Sequence, residues 1–386
     1  MTRAAQNPSI ATLPPLSLYI HVPWCVRKCP YCDFNSHAQK GDIPEQAYLN
    51  ALMEDVTADI AGVQGRSIET VFIGGGTPSL MSPDFYRQLF ERLSAHLQFA
   101  PDAEITLEAN PGTVEQSRFE GFRAAGINRL SLGVQSFNPV HLQTLGRIHD
   151  DQAARNAINA ARAAGFDNFN IDLMHGLPNQ TVDEAVNDLE QALAFDPPHL
   201  SWYQLTLEPN TEFYSRPPDL PEDDALWDII EAGGNLLRAN GYQDYEVSAW
   251  SKPGKASRHN LNYWEFGDYL AMGAGAHGKI TFLEDNEIRR YWKTRQPEAY
   301  LNRIGSRTAG QQAIAVDELP LEFMMNALRL KRGVSEKLYT ERTGLPLAGI
   351  AEILSAVRSE GLFEASRLQA TPLGQRYLNS ILERFL

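Results

Sequence analysis

A chain of 386 residues, 43% hydrophobic and 21% charged, is long enough to bury a large core and to divide into two domains. Its net charge of −14 argues against a general nucleic-acid binder, which needs a basic face. No apolar run reaches the roughly 18 residues that a bilayer span requires, so any membrane contact is peripheral at most. Met1 to Pro14 holds one arginine and no apolar segment, and it reads as a disordered leader rather than a secretory signal.

From residue 16, β-rich runs at 16–22, 69–74, 104–110, 129–135, 168–175 and 199–206 alternate with amphipathic segments at 43–63, 82–97, 113–125, 151–164, 181–195 and 221–240. Ser82-Pro83-Asp84 supplies an N-cap followed by a first-turn proline, and Gly126 and Gly165 follow alanines as helix stops. Strand and helix repeated six times predict parallel strands joined by right-handed crossovers, in an incomplete barrel or a doubly wound sheet. Gly74-Gly75-Gly76-Thr77, Glu108, Asn110, Gln135, Asp172, Gln204 and Thr206 fall in or after successive strands, mostly toward their carboxyl ends. Barrel enzymes place their sites there, whereas a doubly wound sheet concentrates them at one switch point. The α/β reading is therefore a partial, TIM-like (βα)6 barrel. Residues 242–250 read as one more strand, and 251–278 as an irregular, aromatic-rich stretch. Helices at 319–330, 335–343 and 347–360, a wing at 364–370 and a last helix from 372 suggest a small winged-helix-like module. Its nine acidic and nine basic side chains from 317 to 386 favour packing or partner binding over DNA reading.

The three cysteines of the chain, Cys25, Cys29 and Cys32, lie within eight positions directly after the first strand. Three thiols at C-x3-C-x2-C cannot form a paired disulfide framework, and their presence points to a reducing, cytoplasmic compartment. Thiolates gathered in one loop hold a soft metal centre. A tetrahedral zinc would need a fourth ligand, His21 or His37, and Cys29-Pro30-Tyr31-Cys32 alone would read as a redox pair. An iron–sulfur cluster on three cysteines would instead leave one iron without a protein ligand. The glycines at 74–76, lacking Cβ atoms, could bring backbone N–H and C=O groups against a zwitterionic ligand.

The cysteine spacing taken with Gly74-Gly75-Gly76-Thr77-Pro78 resembles the radical S-adenosylmethionine (SAM) superfamily. The resemblance implies a [4Fe–4S] cluster on Cys25, Cys29 and Cys32, with SAM chelating the fourth iron. Residues 19–25, 128–137 and 170–178 are similar to its oxygen-independent coproporphyrinogen III dehydrogenase branch, and the similarity runs from about 16 to 278. It implies SAM contacts at Tyr19, Tyr31, Gly75, Gly76, Thr77, Glu108, Gln135, Arg147, Asp172 and Thr206. In that set Glu108 and Asp172 would accept from ribose hydroxyls or the ammonium, Arg147 would meet the carboxylate, and Tyr31 would stack on adenine.

Two features set the chain apart from the dehydrogenase itself. Phe34 stands where that enzyme carries a further cysteine, and Arg258-His259-Asn260-Leu261-Asn262-Tyr263-Trp264 contains an HNxxYW pattern. Both are similar to the sister group of haem chaperones, which implies haem as cargo and haem-donor and haem-acceptor proteins as partners, and leaves homodimerisation open. His259 offers a neutral imidazole to iron, Tyr263 and Trp264 offer flat apolar surface, Arg258 could meet a propionate, and Asn260 completes the set. His277, in a glycine-rich run, is a second axial candidate. The implied organisation is a leader at 1–14, a barrel with the HNxxYW segment at 15–285, and a C-terminal helical, winged domain at 286–386. On this reading the cluster regulates haem transfer or oligomerisation rather than driving turnover. The rival is a radical SAM oxidoreductase that decarboxylates coproporphyrinogen III, and a third reading is a structural zinc protein.

Overall fold

The structure, a computed structural model, describes residues 8–112 and 117–386. Met1–Asn7 of the expected leader and the start of the amphipathic segment at 113–125 lie outside the described residues. Six parallel strands form the frame: β1 (Leu16–Val22), β4 (Ile68–Gly75), β5 (Phe99–Ala109), β6 (Arg129–Gln135), β7 (Phe169–His175) and β8 (His199–Gln204). They pair in that order, each in parallel register with the next. β2 (Trp24–Cys25) and β3 (His37–Ala38) form a separate parallel pair that fastens the two ends of the cysteine loop. Ser82 caps its helix by accepting from Phe85 N–H behind Pro83, and Thr181 and Glu184 form a capping box.

Period-two alternation explains what each strand buries. Leu16, Leu18, Ile20, Val71, Ile73, Leu130, Leu132, Ile171 and Leu173 pack in the core under the outer helices. The alternate positions face the lumen and are polar: Ser17, Thr70, Thr106, Arg129, Ser131, Asn170 and His199 are all buried. Much of this lumen is stabilised by side chains that satisfy one another. Asn170 donates to Ser131 Oγ at 2.8 Å and to Asp172 Oδ1 at 2.7 Å, while Ser131 donates to Asp172 Oδ2 at 3.0 Å.

The barrel is open, and its sheet is extended at both edges. The expected strand at 242–250 is a hairpin, β9 (Gln243–Glu246) and β10 (Ala249–Ser251), paired antiparallel to β8. The stretch at 251–278, read as irregular, is ordered. It holds a helix (Arg258–Trp264) and β11 (Asp268–Met272), which adds to β1 in parallel. β12 (His277–Phe282), β13 (Glu287–Lys293) and β14 (Thr308–Ala313) follow antiparallel, giving twelve strands in one sheet. Buried ion pairs rivet this extension to the barrel. Lys293 Nζ lies 2.6 Å from Asp55, both fully buried, and Arg66 lies 2.7 Å from the fully buried Asp268.

The Arg258–Trp264 helix closes the barrel floor. His259 Nδ1 lies 2.7 Å from Thr70 Oγ1, Thr70 Oγ1 lies 2.7 Å from Ser17 Oγ, and Asn262 donates to Ser17 Oγ at 2.8 Å. The C-terminal helices and the bridges Val334–Leu368 and Phe363–Ala370 enclose a second core around Phe323, Leu354 and Ile381. Ile10 is buried in that core, and Ser9 N–H donates to Gly344 C=O at 2.9 Å, so the chain is already fastened before Pro14.

Candidate functional site

The three cysteines open onto a cavity of about 250 Å³ at the carboxyl ends of the strands. Cys25 is buried, and Cys29 and Cys32 are half-buried. Cys32 N–H donates to Cys29 C=O at 3.2 Å, a tight turn that brings their thiols to one side. Burial raises the Cys25 thiol, and it also raises Cys32, against a bond to Ser36. Of the expected SAM set, Tyr31, Gly75, Gly76, Thr77, Glu108, Gln135, Arg147 and Asp172 line this cavity. Tyr19 lines a neighbouring one, and Thr206 is exposed and lines neither.

The glycine turn departs from the expectation in one respect. Gly75 N–H donates to Glu108 Oε2 at 3.1 Å, and the N–H groups of Gly76 and Thr77 donate to Val22 and Trp24 carbonyls at 2.7 Å. These N–H groups are spent, which leaves carbonyl oxygen as what this turn can present to a ligand. The glycines are also required by packing. A Cβ on Gly76 would lie 2.5 Å from Trp24 O, and one on Gly75, at φ +115°, 2.5 Å from the His21 ring.

Arg147 is committed differently from its expected role. Its Nη2 donates to Asn110 Oδ1 at 2.6 Å and Gly133 O at 2.7 Å, and its Nη1 lies 3.7 Å from Cys29 Sγ. The guanidinium thus lies beside a cysteine thiol. Glu108 is pushed up to about 8, first by burial and then by the negative Asp172 nearby. Burial also raises Asp172, against bonds from Asn170, Ser201 and Ser131. Gln135 sits at φ 72°, a left-handed conformation rare for a side-chain-bearing residue, and Tyr203 OH donates to its Oε1 at 2.7 Å. Tyr31 packs with Phe213 at 6.4 Å between ring centres.

A second cavity, about 1020 Å³, adjoins the first, and Phe34, Gly75 and Glu108 line both. Its walls include Tyr19, Phe72, Tyr263, Trp264, Tyr269 and Trp292, with His277 and Arg295 toward its open side. Of the expected haem set, Tyr263, Trp264 and His277 line it. His259 does not. It is 1% exposed, stacked on Phe72 at 5.2 Å and edge-on to Tyr263 at 4.8 Å. Burial lowers its pKa to about 3, and its Nε2 has no hydrogen-bond partner among the described residues. Asn260 instead bonds Tyr245, and Arg258 pairs with Asp102 at 3.1 Å on the surface.

Residues 19–192 match the Radical SAM superfamily, and residues 314–377 match the HemN C-terminal domain. Two curated relatives, each called heme chaperone HemW, are 52% identical. That of Haemophilus influenzae is covered over 97% of this chain and 98% of its own, and that of Escherichia coli K12 over 97% and 99%. The chain belongs to the heme chaperone HemW family. Coproporphyrinogen III oxidase (HemN) from Escherichia coli, described as a radical SAM enzyme, superposes with a TM-score of 0.81 at 25% identity, over 97% of this chain and 90% of its own.

The residues present fit the cofactors that the radical SAM family implies. Three thiols converge on a cavity that also holds carboxylates, an amide and a guanidinium, and the carboxylates can receive the cationic end of a sulfonium amino acid. Cys25, Cys29 and Cys32 would hold the cluster, and Glu108, Gln135 and Asp172 would face SAM. Zinc has less to hold it. His21 spends both ring nitrogens, at 2.9 Å, on Tyr19 OH and Asn35 O, and His37 Nε2 is 3.1 Å from Asn35 Oδ1. Sequence reasoning missed Ser131, Gly133 and Tyr203 in the first cavity, and it placed Asn110 at a strand end without giving it a role. The signal was present in β6, where Arg129, Ser131, Gly133 and Gln135 alternate with leucine and valine.

Proposed function

We propose that the protein carries haem on a radical SAM scaffold and delivers it to haem-dependent acceptor proteins. A [4Fe–4S] cluster rests on Cys25, Cys29 and Cys32, SAM occupies the first cavity, and haem the second. The observation that carries this reading is the second cavity itself. It is large, walled by aromatic rings, and shares Phe34, Gly75 and Glu108 with the cluster cavity. Flat rings offer apolar contact to a porphyrin, and Arg295 and His277 offer charge and an imidazole. Phe34 is 59% exposed at the shared wall, an apolar side chain where the dehydrogenase branch carries a cysteine. Among the described residues no helix is long and apolar enough to cross a membrane. We place haem delivery in the cytoplasm.

A second reading is favoured by the superposition with coproporphyrinogen III oxidase over 97% of the chain. There the second cavity would hold coproporphyrinogen III, and SAM would be cleaved to a radical that starts propionate decarboxylation. One anaerobic preparation separates the two. With the cluster reconstituted, haem alone should give a stoichiometric Soret band, and coproporphyrinogen III with SAM and reductant should be recovered unchanged. Appearance of protoporphyrinogen would overturn the carrier reading.

A further inference from the structure

Three histidines lie on or under the second cavity, and they differ in what their ring nitrogens are free to do. His21 is held at both nitrogens, by Tyr19 and Asn35. His259 is tied at Nδ1 to Thr70, and Phe72 and Tyr263 pack against its ring, so a porphyrin edge would have to displace two aromatic side chains to reach Nε2. His277 is exposed, and among the described residues neither of its ring nitrogens has a hydrogen-bond partner. It lies across the ladder from Trp292, with the rings 6.5 Å apart and 27° from parallel. Partial burial, with Arg295 and Arg290 nearby, lowers its pKa, and the neutral imidazole is the form that ligates iron.

The backbone that presents His277 is rigid. Gly273 and Gly275 both adopt positive φ, Tyr48 OH accepts from Ala274 N–H at 3.0 Å, and Asn35 Nδ2 donates to Ala274 O at 2.8 Å. Arg295, on the same cavity, is exposed, with no ion pair among the described residues. In a chain of net charge −14, an unpaired guanidinium beside an aromatic cavity matches a carboxylate-bearing ligand.

We propose that His277, rather than His259, is the axial ligand that the protein offers to haem iron, and that Arg295 receives a haem propionate. The proposal rests on the haem-carrier reading and deepens it. His277 donates a nitrogen lone pair to iron without any change of oxidation state. His259 serves as a structural plug that keeps the barrel floor closed under Phe72.

The test is titration of the full-length protein with haem and, separately, with metal-free protoporphyrin IX. His277→Gly should weaken haem binding on the order of 10- to 100-fold, the range that even outer-sphere losses impose on metal affinity. It should shift the Soret band, leave protoporphyrin IX binding unchanged, and regain the wild-type spectrum on adding free imidazole. Arg295→Gln should weaken both porphyrins alike, by roughly 2- to 5-fold for a solvent-exposed charge pair. A wild-type haem spectrum and affinity in His277→Gly would overturn the assignment while leaving haem carriage intact, most directly if His259→Gln lost the spectrum with its fold preserved. Failure of the wild-type protein to bind haem at all would overturn the carrier reading together with it.

Discussion

Glu108 offers a quantitative test because it touches both cavities and its protonation is set by the fold. Burial and Asp172 raise its carboxyl to about 8. At pH 7 a group with that pKa is about one-eleventh ionised, and a tenfold change in that equilibrium corresponds to about 1.4 kcal/mol. A cationic ligand such as SAM binds the ionised form. Binding at pH 7 is therefore weakened by about 10-fold relative to the ionised limit, and raising the pH to 9 recovers most of it. Glu108 is half-buried where two water-accessible cavities meet, and water there eases its ionisation, so this magnitude is an upper value. The assay is isothermal titration of the cluster-reconstituted protein with SAM between pH 6 and 9. Glu108→Gln is the control, because its residual slope belongs to Asp172 and to the amino group of SAM. A wild-type affinity no steeper with pH than that of Glu108→Gln would refute the reasoning.

The raised carboxyl also carries a stability sign. A carboxyl whose folded pKa lies above its unfolded value of 4.5 binds more protons in the folded state between the two. Stability therefore falls as pH rises from about 4.5 to 8, and Glu108→Gln should stabilise the cofactor-free protein at pH 8 but not at pH 4. Glu108 thus destabilises the fold in which it serves as a site residue.

Further outcomes follow from other contacts. Cys29→Ser should abolish the iron–sulfur absorption of reconstituted protein, and an unchanged spectrum would refute the three-cysteine assignment. Gly76→Ala places a Cβ 2.5 Å from Trp24 O, and denaturant unfolding should register a loss of about 1–3 kcal/mol together with weaker SAM binding. Lys293→Met leaves Asp55 without its cationic partner in a fully buried site, and should cost about 3–5 kcal/mol by the same measurement. Tyr300 OH still donates to Asp55 at 2.7 Å, which places the loss toward the lower end. Asn35→Ala removes the bonds to Ala274 O and Arg295 O, and haem titration should show affinity reduced by roughly 10-fold with the cysteines intact.

What the sequence disclosed is the part of the fold whose pattern is local. The six barrel strands alternate apolar and polar over seven or so residues, and the cysteines lie within eight positions of one another, so both could be read directly. β11 to β13 were hidden for a physical reason. Asp268, Lys279 and Lys293 look like solvent-facing positions, yet each is buried against a charge supplied from elsewhere. Arg66 and Asp268 are 202 positions apart, and Lys293 and Asp55 are 238 apart. Hydropathy cannot see a partner at that distance. His259 shows the same limit. Its neighbours in sequence do not reveal that Thr70 and Phe72, far upstream, hold it buried in the barrel floor. The alternation in β6 was visible, and Ser131 was passed over because a lone serine in a strand carries little signal without Asn170 and Asp172 beside it.

The cysteine loop and the His277 turn are one mechanical unit, and this follows from a single side chain. Asn35, three residues after Cys32, donates through Nδ2 to Ala274 O at 2.8 Å and Arg295 O at 2.9 Å. Its own carbonyl lies 2.9 Å from His21 Nε2. Gly275 permits this fit, since a Cβ there would lie 2.2 Å from Asn35 Nδ2. Asn35 thus ties the end of the cysteine loop to the backbone just before His277 and to the carbonyl of Arg295 itself. The end of the cysteine loop and the His277 platform therefore share one fixed point. A barrel left open beside β1 makes the arrangement possible. In a closed barrel another strand of the frame would flank β1, whereas here β11 turns that edge into the wall of a second cavity and brings it within one asparagine of the first.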